Sequence, residues 1–258
     1  MLKLDEIISR YPVQLRHFPR GILREYLQYK ILEHIFASSI ASKLSFIGGT
    51  ALRLIYDNQR FSEDLDFDNF GITNEEFETF TEHLRSELIR EGYAVETTLT
   101  HKGAHRCSLK FLDILFTNNL TPHDDEKLLI QIDTQEQGYG YEPERKLIKK
   151  FDLITHVSVT PRATLLAQKL YTITNRKRAK GRDFFDTTFL VAMTKPDYGF
   201  LQMKLGARNA EEIRKIMLNA ISALDFHALA EDVKPFLFRE EDARRIELFP
   251  EFIKEAEL

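Results

Sequence analysis

Two aspartates one residue apart, in the string SEDLDFDNF, give this sequence its clearest chemical signal. Alternation along a strand puts Asp64 and Asp66 side by side, with Leu65 and Phe67 turned the other way into a core. Carboxylates this close repel, and one takes up a proton unless a cation sits between them. A hard divalent cation answers that need, and Mg²⁺ is typically held by one or two carboxylates plus substrate phosphates. Upstream, an apolar strand ends in Gly48-Gly49-Thr50 and a helix begins at once. Glycines let backbone approach a phosphate, Thr50 adds a hydroxyl, and a helix N-terminus adds free N–H groups and a positive dipole end. No GKS or GKT follows, so this is not the longer Walker-type loop. A two-metal transfer of a phosphoryl-type group calls for a third carboxylate. Asp133, closing the apolar run KLLIQID, is the candidate, and Asp113 in LKFLDILF is the weaker option. Asp68 precedes Asn69 and Gly71 and reads as the start of a turn. Paired aspartates or a Gly-Gly turn alone are common on solvated strands and at helix starts. The conjunction carries the argument.

A second set of residues lies in LLAQKLYTITNRKRAKGRDFFD. On a helical wheel Lys169 falls inside the apolar arc of Leu165, Leu166, Leu170 and Ile173. A lysine there needs an anion or a route to water. Arg162 and Arg176, seven residues to either side, read as sharing its face. Arg176, Lys177, Arg178, Lys180 and Arg182 put five cations into seven residues. Most charge runs are solvated loops, but this one adjoins the phosphate-seeking lysine and suits a polyanion such as an RNA backbone. Asp183 and Asp186 follow one turn apart. They either complement a helix N-terminus or, for Asp186, orient Lys169 or an attacking hydroxyl. His101 and His105 make a poor zinc pattern, Tyr139 and Tyr141 read as turn packing, and no hydrolase triad is evident.

The elements that must position these residues are legible from periodicity. A short helix is predicted over 1–10, a broad-faced helix over 21–40, a strand over 44–47, and a helix directly after the glycines. The alternation over 64–67 is a strand. Thr73 and Glu76 form a capping box for a helix over 74–91, stopped by Gly92. Strands are predicted over 93–100, 106–116 and 127–135. Residues 136–150 are turn-rich and charged, and a further apolar stretch ends at Thr160-Pro161. Helices are then predicted over 161–177, 182–194, 209–225 and 239–256. The class is α+β, with a mixed-sheet core and N-terminal helices over 1–155 and a mostly helical domain over 156–258.

The chain has 258 residues, 43% of them hydrophobic and 29% charged, with a net charge of −4. Any basic binding surface is therefore local. One cysteine, Cys107, excludes an internal disulfide. No run approaches the ~20 apolar residues of a membrane helix, and no signal-peptide core is present. The expectation is a cytoplasmic protein with no membrane partner.

With these residues in view, Gly-Gly-Thr, a spacer and Asp-Leu-Asp-Phe resemble the signature of the DNA polymerase β nucleotidyltransferase superfamily. The fuller string GGTALRL…RFSEDLDF, with Arg60-Phe61-Ser62 before the acids, is closer to its AbiEii/AbiGii branch, toxins of bacterial abortive-infection and toxin–antitoxin systems. REYLQYKILEHIF resembles that family's N-terminal helix, and LLAQKLYTITNRKRAKGRDFFD its second block, so the resemblance spans roughly residues 24–190. It implies a nucleotidyltransferase-like mixed sheet, Mg²⁺ and a nucleoside triphosphate. Asp64 and Asp66 match the metal pair, with Asp133 the less secure third. Lys169 matches the lysine that meets the phosphates, and Asp186 the later catalytic acid. Gly48, Gly49, Thr50, Ser62 and Arg182 fall with nucleotide binding, and Arg176, Lys177, Arg178 and Lys180 with nucleic acid. The implied reaction moves NMP to an acceptor hydroxyl, with the tRNA 3′ end the favoured acceptor and an antitoxin protein a partner. AMP transfer to a protein or small molecule, or an inert RNA-binding relative, are the alternatives.

Overall fold

A computed structural model describes residues 2–101 and 104–258. The chain divides into two compact units, the first comprising Met1–Ala51, Phe61–Gly138 and Pro143–Val159, the second Leu52–Arg60, Tyr139–Glu142 and Thr160–Leu258.

The first unit opens with α1 (Leu4–Ser9), α2 (Pro19–Ala37) and β1 (Leu44–Ile47), after which α3 (Gly48–Tyr56) begins. It continues with β2 (Leu65–Asn69), α4 (Asn74–Arg90), β3 (Val95–His101), β4 (His105–Phe111), α5 (Ile114–Thr117), β5 (Leu128–Gln135), β6 (Glu144–Lys150) and β7 (Leu153–Val159). Among the described residues these strands form one seven-stranded sheet, ordered β3-β4-β5-β2-β1-β7-β6. The β2–β5 and β1–β7 pairs are parallel and the others antiparallel.

Alternation decides which face is which. Leu65 and Phe67 of β2, Cys107 and Leu109 of β4, and Ile130 and Ile132 of β5 are buried on one face. There Phe67 stacks on Phe46 at 5.3 Å and meets Phe36 of α2 at 6.1 Å. Asp66, Arg106 and Asp133 are carried on the other face by the same period of two. The predicted capping box of α4 is present, Thr73 Oγ1 accepting from Glu76 N–H and the Glu76 carboxylate from Thr73 N–H.

Four expectations are corrected in this unit. The apolar run at 106–116 is not one strand: β4 ends at Phe111, and Asp113, at φ 55°, opens α5. A uniformly apolar run does not separate strand from short helix by periodicity. The charged segment 136–150 contains β6, an edge strand whose lysines suit an edge. Asp68 does not open a turn; it is buried in β2 and its Oδ1 accepts the backbone N–H groups of Asn69 and Gln137. The boundary read at 155/156 falls inside β7.

The second unit is built from α6 (Arg162–Asn175), α7 (Gly181–Val191), α8 (Tyr198–Leu205), α9 (Ala210–Ile221), α10 (Phe226–Val233), α11 (Arg244–Glu247) and α12 (Phe249–Glu255). Its core includes the rings of Phe184, Phe226 and Phe249, with Phe184 4.9 Å from Phe249. The helices α8 and α10 were not anticipated. Each starts at an aspartate, Asp197 or Asp225, whose side chain accepts from the N–H three residues on. The helix predicted over 239–256 is instead a 3₁₀ turn over 240–243 followed by α11 and α12, with Pro250 in the first turn of the last. Gly181 is required where it stands, because a Cβ there would lie 2.0 Å from the Leu229 carbonyl oxygen. No helix among the described residues is long and apolar enough to cross a membrane.

Candidate functional site

The acidic face of the first unit is assembled by strand register. Asp66 of β2 pairs in register with Asp133 of parallel β5, so the two carboxylates stand abreast. Asp64 immediately precedes β2, and its carbonyl accepts the hydroxyl hydrogen of Thr50. Thr50 is fully buried, so its hydroxyl holds the acid strand in place rather than reaching outward. Gln28, buried in α2, donates to the carbonyls of Ser62 (3.0 Å) and Glu63 (2.9 Å) and fixes the approach to the acids. Ser62 is half-buried in this approach.

Gly48 has φ 78°, and a Cβ built on it would meet Asp66 Oδ2 at 2.3 Å. Only glycine lets the first turn of α3 come this close to the carboxylate. Gly49 is buried directly after it. Asp113 lies beyond Phe111, which pairs with Leu128 five residues from Asp133. At ~3.3 Å per residue that places it about 17 Å or more along the sheet from the acids.

Asp133 is not without a counterion. Arg106, its antiparallel partner on β4, donates from Nε to Oδ1 at 2.5 Å and from Nη2 to Oδ2 at 3.2 Å. Gln131 Nε2 adds a bond to Oδ2 at 2.8 Å. The guanidinium pKa is raised above its ordinary value, chiefly by the hydrogen bond to Asp133, with further contributions from the charges of Asp64 and Asp66. Arg106 and the three acids therefore form one electrostatic group. Among the described residues no three His, Cys, Asp or Glu side chains converge into a ready cluster for a metal ion. The donor set still suits Mg²⁺, which needs only one or two carboxylates when phosphate oxygens complete its shell. The His101 side chain lies outside the described residues. His105 Nε2 is 3.1 Å from the Ile72 carbonyl oxygen, and its ring stacks on Phe77.

In the second unit the residues of the Arg-Asp-x-x-Asp block form a buried charge network. Lys169 Nζ bridges Asp183 Oδ1 at 3.0 Å and Asp186 Oδ2 at 2.8 Å. Burial lowers an ammonium pKa, but the charges of Asp186 and Asp183 outweigh it and hold Lys169 above its ordinary value. Asp186 also takes a two-point bond from Arg60 and one from Asn58 Nδ2 at 2.8 Å. Arg60 and Asn58 had no assigned role in the sequence reading; only the resemblance drew attention to Arg60.

The column of cations read along α6 is not formed. The helix ends at Asn175, and Arg176 turns out with extended backbone to meet Asp183 Oδ2 at 2.6 Å. Arg162 sits over the Tyr56 ring. Lys180 approaches Asp232 at 3.5 Å and Arg182 lies over Phe236. Lys177 and Arg178 are exposed. Tyr139 donates to Asp197 and Tyr141 pairs with Thr160, both as packing contacts.

The fold has relatives of known structure. The crystal structure of JHP933 from Helicobacter pylori aligns with 19% identity over 91% of both chains and a TM-score of 0.57. That of a presumed nucleotidyltransferase from H. pylori aligns with 19% identity over 91% of this chain and 94% of the other, with a TM-score of 0.58. At this identity the likeness is one of fold. No curated protein matches the chain. The family profile described as nucleotidyl transferase AbiEii toxin, Type IV TA system, matches residues 30–253. This chain belongs to the AbiEii family, the nucleotidyltransferase toxins of type IV toxin–antitoxin systems.

Proposed function

We propose that the chain transfers a nucleoside monophosphate from an NTP to an acceptor hydroxyl, the 3′ end of tRNA, with Mg²⁺ held by Asp64, Asp66 and Asp133. The observation that carries this reading is the juxtaposition of Asp66 with Asp133 across β2 and β5, beside a glycine whose Cβ would collide with Asp66. When bound there, Mg²⁺ would neutralise phosphate charge and polarise the phosphoryl oxygens. The chain supplies the rest. Backbone at Gly48 and Gly49 approaches the phosphates, while Thr50 and Gln28 hold the acid strand and Ser62 at fixed positions. Lys169, held by Asp183 and Asp186, is the cation offered to a phosphate oxygen. Asp186 fixes that ammonium in place. Arg182 joins the nucleotide contacts. Lys177 and Arg178, with Arg176 and Lys180 at their flanks, meet the acceptor's backbone. The acceptor hydroxyl attacks the α-phosphorus and pyrophosphate leaves. A nucleotide as substrate and an antitoxin as partner accord with the family. The site's chemistry has no membrane requirement, and the cytoplasm is the compartment where tRNA and NTP meet.

The test incubates the protein with Mg²⁺, each α-labelled NTP in turn and total tRNA, beside an Asp66→Asn variant. Label on tRNA, lost in the variant, is the expected result. Label on protein or on a small molecule would replace tRNA as acceptor. RNA binding with no label anywhere would overturn the catalytic reading.

A further inference from the structure

Resting on the reading of Asp64, Asp66 and Asp133 as metal ligands, we propose that Arg106 is a resident counter-cation that latches Asp133, and that a divalent ion must exchange for its guanidinium before the third carboxylate joins the other two.

Register alone sets up the exchange. Arg106, Asp133 and Asp66 are successive partners across β4, β5 and β2, so a cation and two acids form one row on one face of the sheet. The planar guanidinium engages both oxygens of Asp133, and Gln131 takes a second position on Oδ2. A dication approaching the same oxygens meets a fixed positive charge at hydrogen-bond distance.

The latch is also of a kind that opens. The Arg106 side chain is 50% exposed and Asp133 21% exposed. Water replaces the guanidinium at modest cost in such a place, unlike the enclosed pair of Arg60 and Asp186. A site competent only when unlatched binds its ion more weakly by the fraction of time it is unlatched. The AbiEii strand pattern marks the acids but does not reveal the arginine, because Arg106 reaches them through the β4–β5 pairing.

The experiment is Mn²⁺ binding to the full-length chain by isothermal titration, Mn²⁺ serving as probe for the hard-cation site. It compares wild type, Arg106→Met, Asp133→Asn, the double variant and Asp66→Asn, with thermal melts to confirm folding. Arg106→Met is expected to bind Mn²⁺ about twofold to fivefold tighter, the size of a modest ion pair. Asp133→Asn is expected to bind more weakly. The gain from Arg106→Met is expected to vanish in the Asp133→Asn background. Unchanged or weaker binding by Arg106→Met overturns the latch. So does a gain that persists without Asp133, which would mean a general field effect. If Asp66→Asn leaves Mn²⁺ binding intact, the metal-site reading fails, and the latch with it.

Discussion

Arg60 and Asp186 meet as a two-point ion pair inside the second unit, Nε to Oδ1 and Nη2 to Oδ2, each at 2.7 Å, with side chains 1% and 0% exposed. Lys169 and Asn58 complete the shell of the same carboxylate. Asp183 takes the other side of Lys169, and with it included the arrangement is stable as a set and intolerant of single deletions.

Arg60→Ala leaves that carboxylate with one cation fewer in a closed space. It is expected to lower unfolding free energy by about 3–5 kcal/mol, read from urea denaturation. A loss under ~1 kcal/mol would mean that the pair is not a structural anchor.

Acid sensitivity follows from the same carboxylate. Burial pushes its pKa up, but the charges and hydrogen bonds of Arg60 and Lys169 outweigh this and bring it to about 2 in the fold, below the ordinary 3.8. Its contribution to stability is complete above about pH 4 and is lost as pH falls towards 2. Lys169, held above 10.5, contributes at all lower pH and loses its contribution only in stronger alkali. Urea midpoints measured between pH 5 and pH 2 are expected to fall more steeply for wild type than for Asp186→Asn. Parallel curves would count against the assignment.

Gly48→Ala is expected to damage transfer more than folding. The new methyl meets the Asp66 carboxylate and sits at a φ that disfavours side chains. Displacing a reactive carboxylate by about 1 Å can cost on the order of a hundredfold in rate, whereas the backbone strain costs roughly 1–3 kcal/mol. Initial rates of label transfer and a melting curve on the same preparation separate the two. An alanine variant with wild-type rate would remove Gly48 from the site.

Lys177→Ala and Arg178→Ala leave buried contacts untouched, since both side chains are exposed. Each is expected to weaken tRNA binding and to reduce the slope of log affinity against log salt by about 1. Filter binding at several salt concentrations checks this. An unaltered slope in both variants would move the acceptor elsewhere.

The acids, the glycine turn and the capping box of α4 were legible because each is written in consecutive residues. Asp66 needed only the period of a strand to fall opposite Leu65 and Phe67, whereas Asp64 lies just before β2, and Thr73 with Glu76 needed only the first turn of a helix. Arg106 was not legible, since nothing near it announces that β4 will pair with β5 in the register that sets it against Asp133. Arg60 illustrates the same limit, reaching Asp186 across 126 positions of sequence. The segment 239–256 failed for another reason. Its apolar spacing is helical, but Pro250 and the preceding 3₁₀ turn divide it into short pieces.

Cys107 adds a practical asset for such measurements. It is the chain's single cysteine, fully enclosed on the core face of β4, with burial raising its thiol to about 12. Only the thiolate attacks an alkylating reagent, so the native chain is expected to behave towards such reagents as if it held no cysteine. A cysteine introduced at Lys177 would carry one fluorophore or spin label, reporting tRNA arrival without prior rebuilding of the sequence.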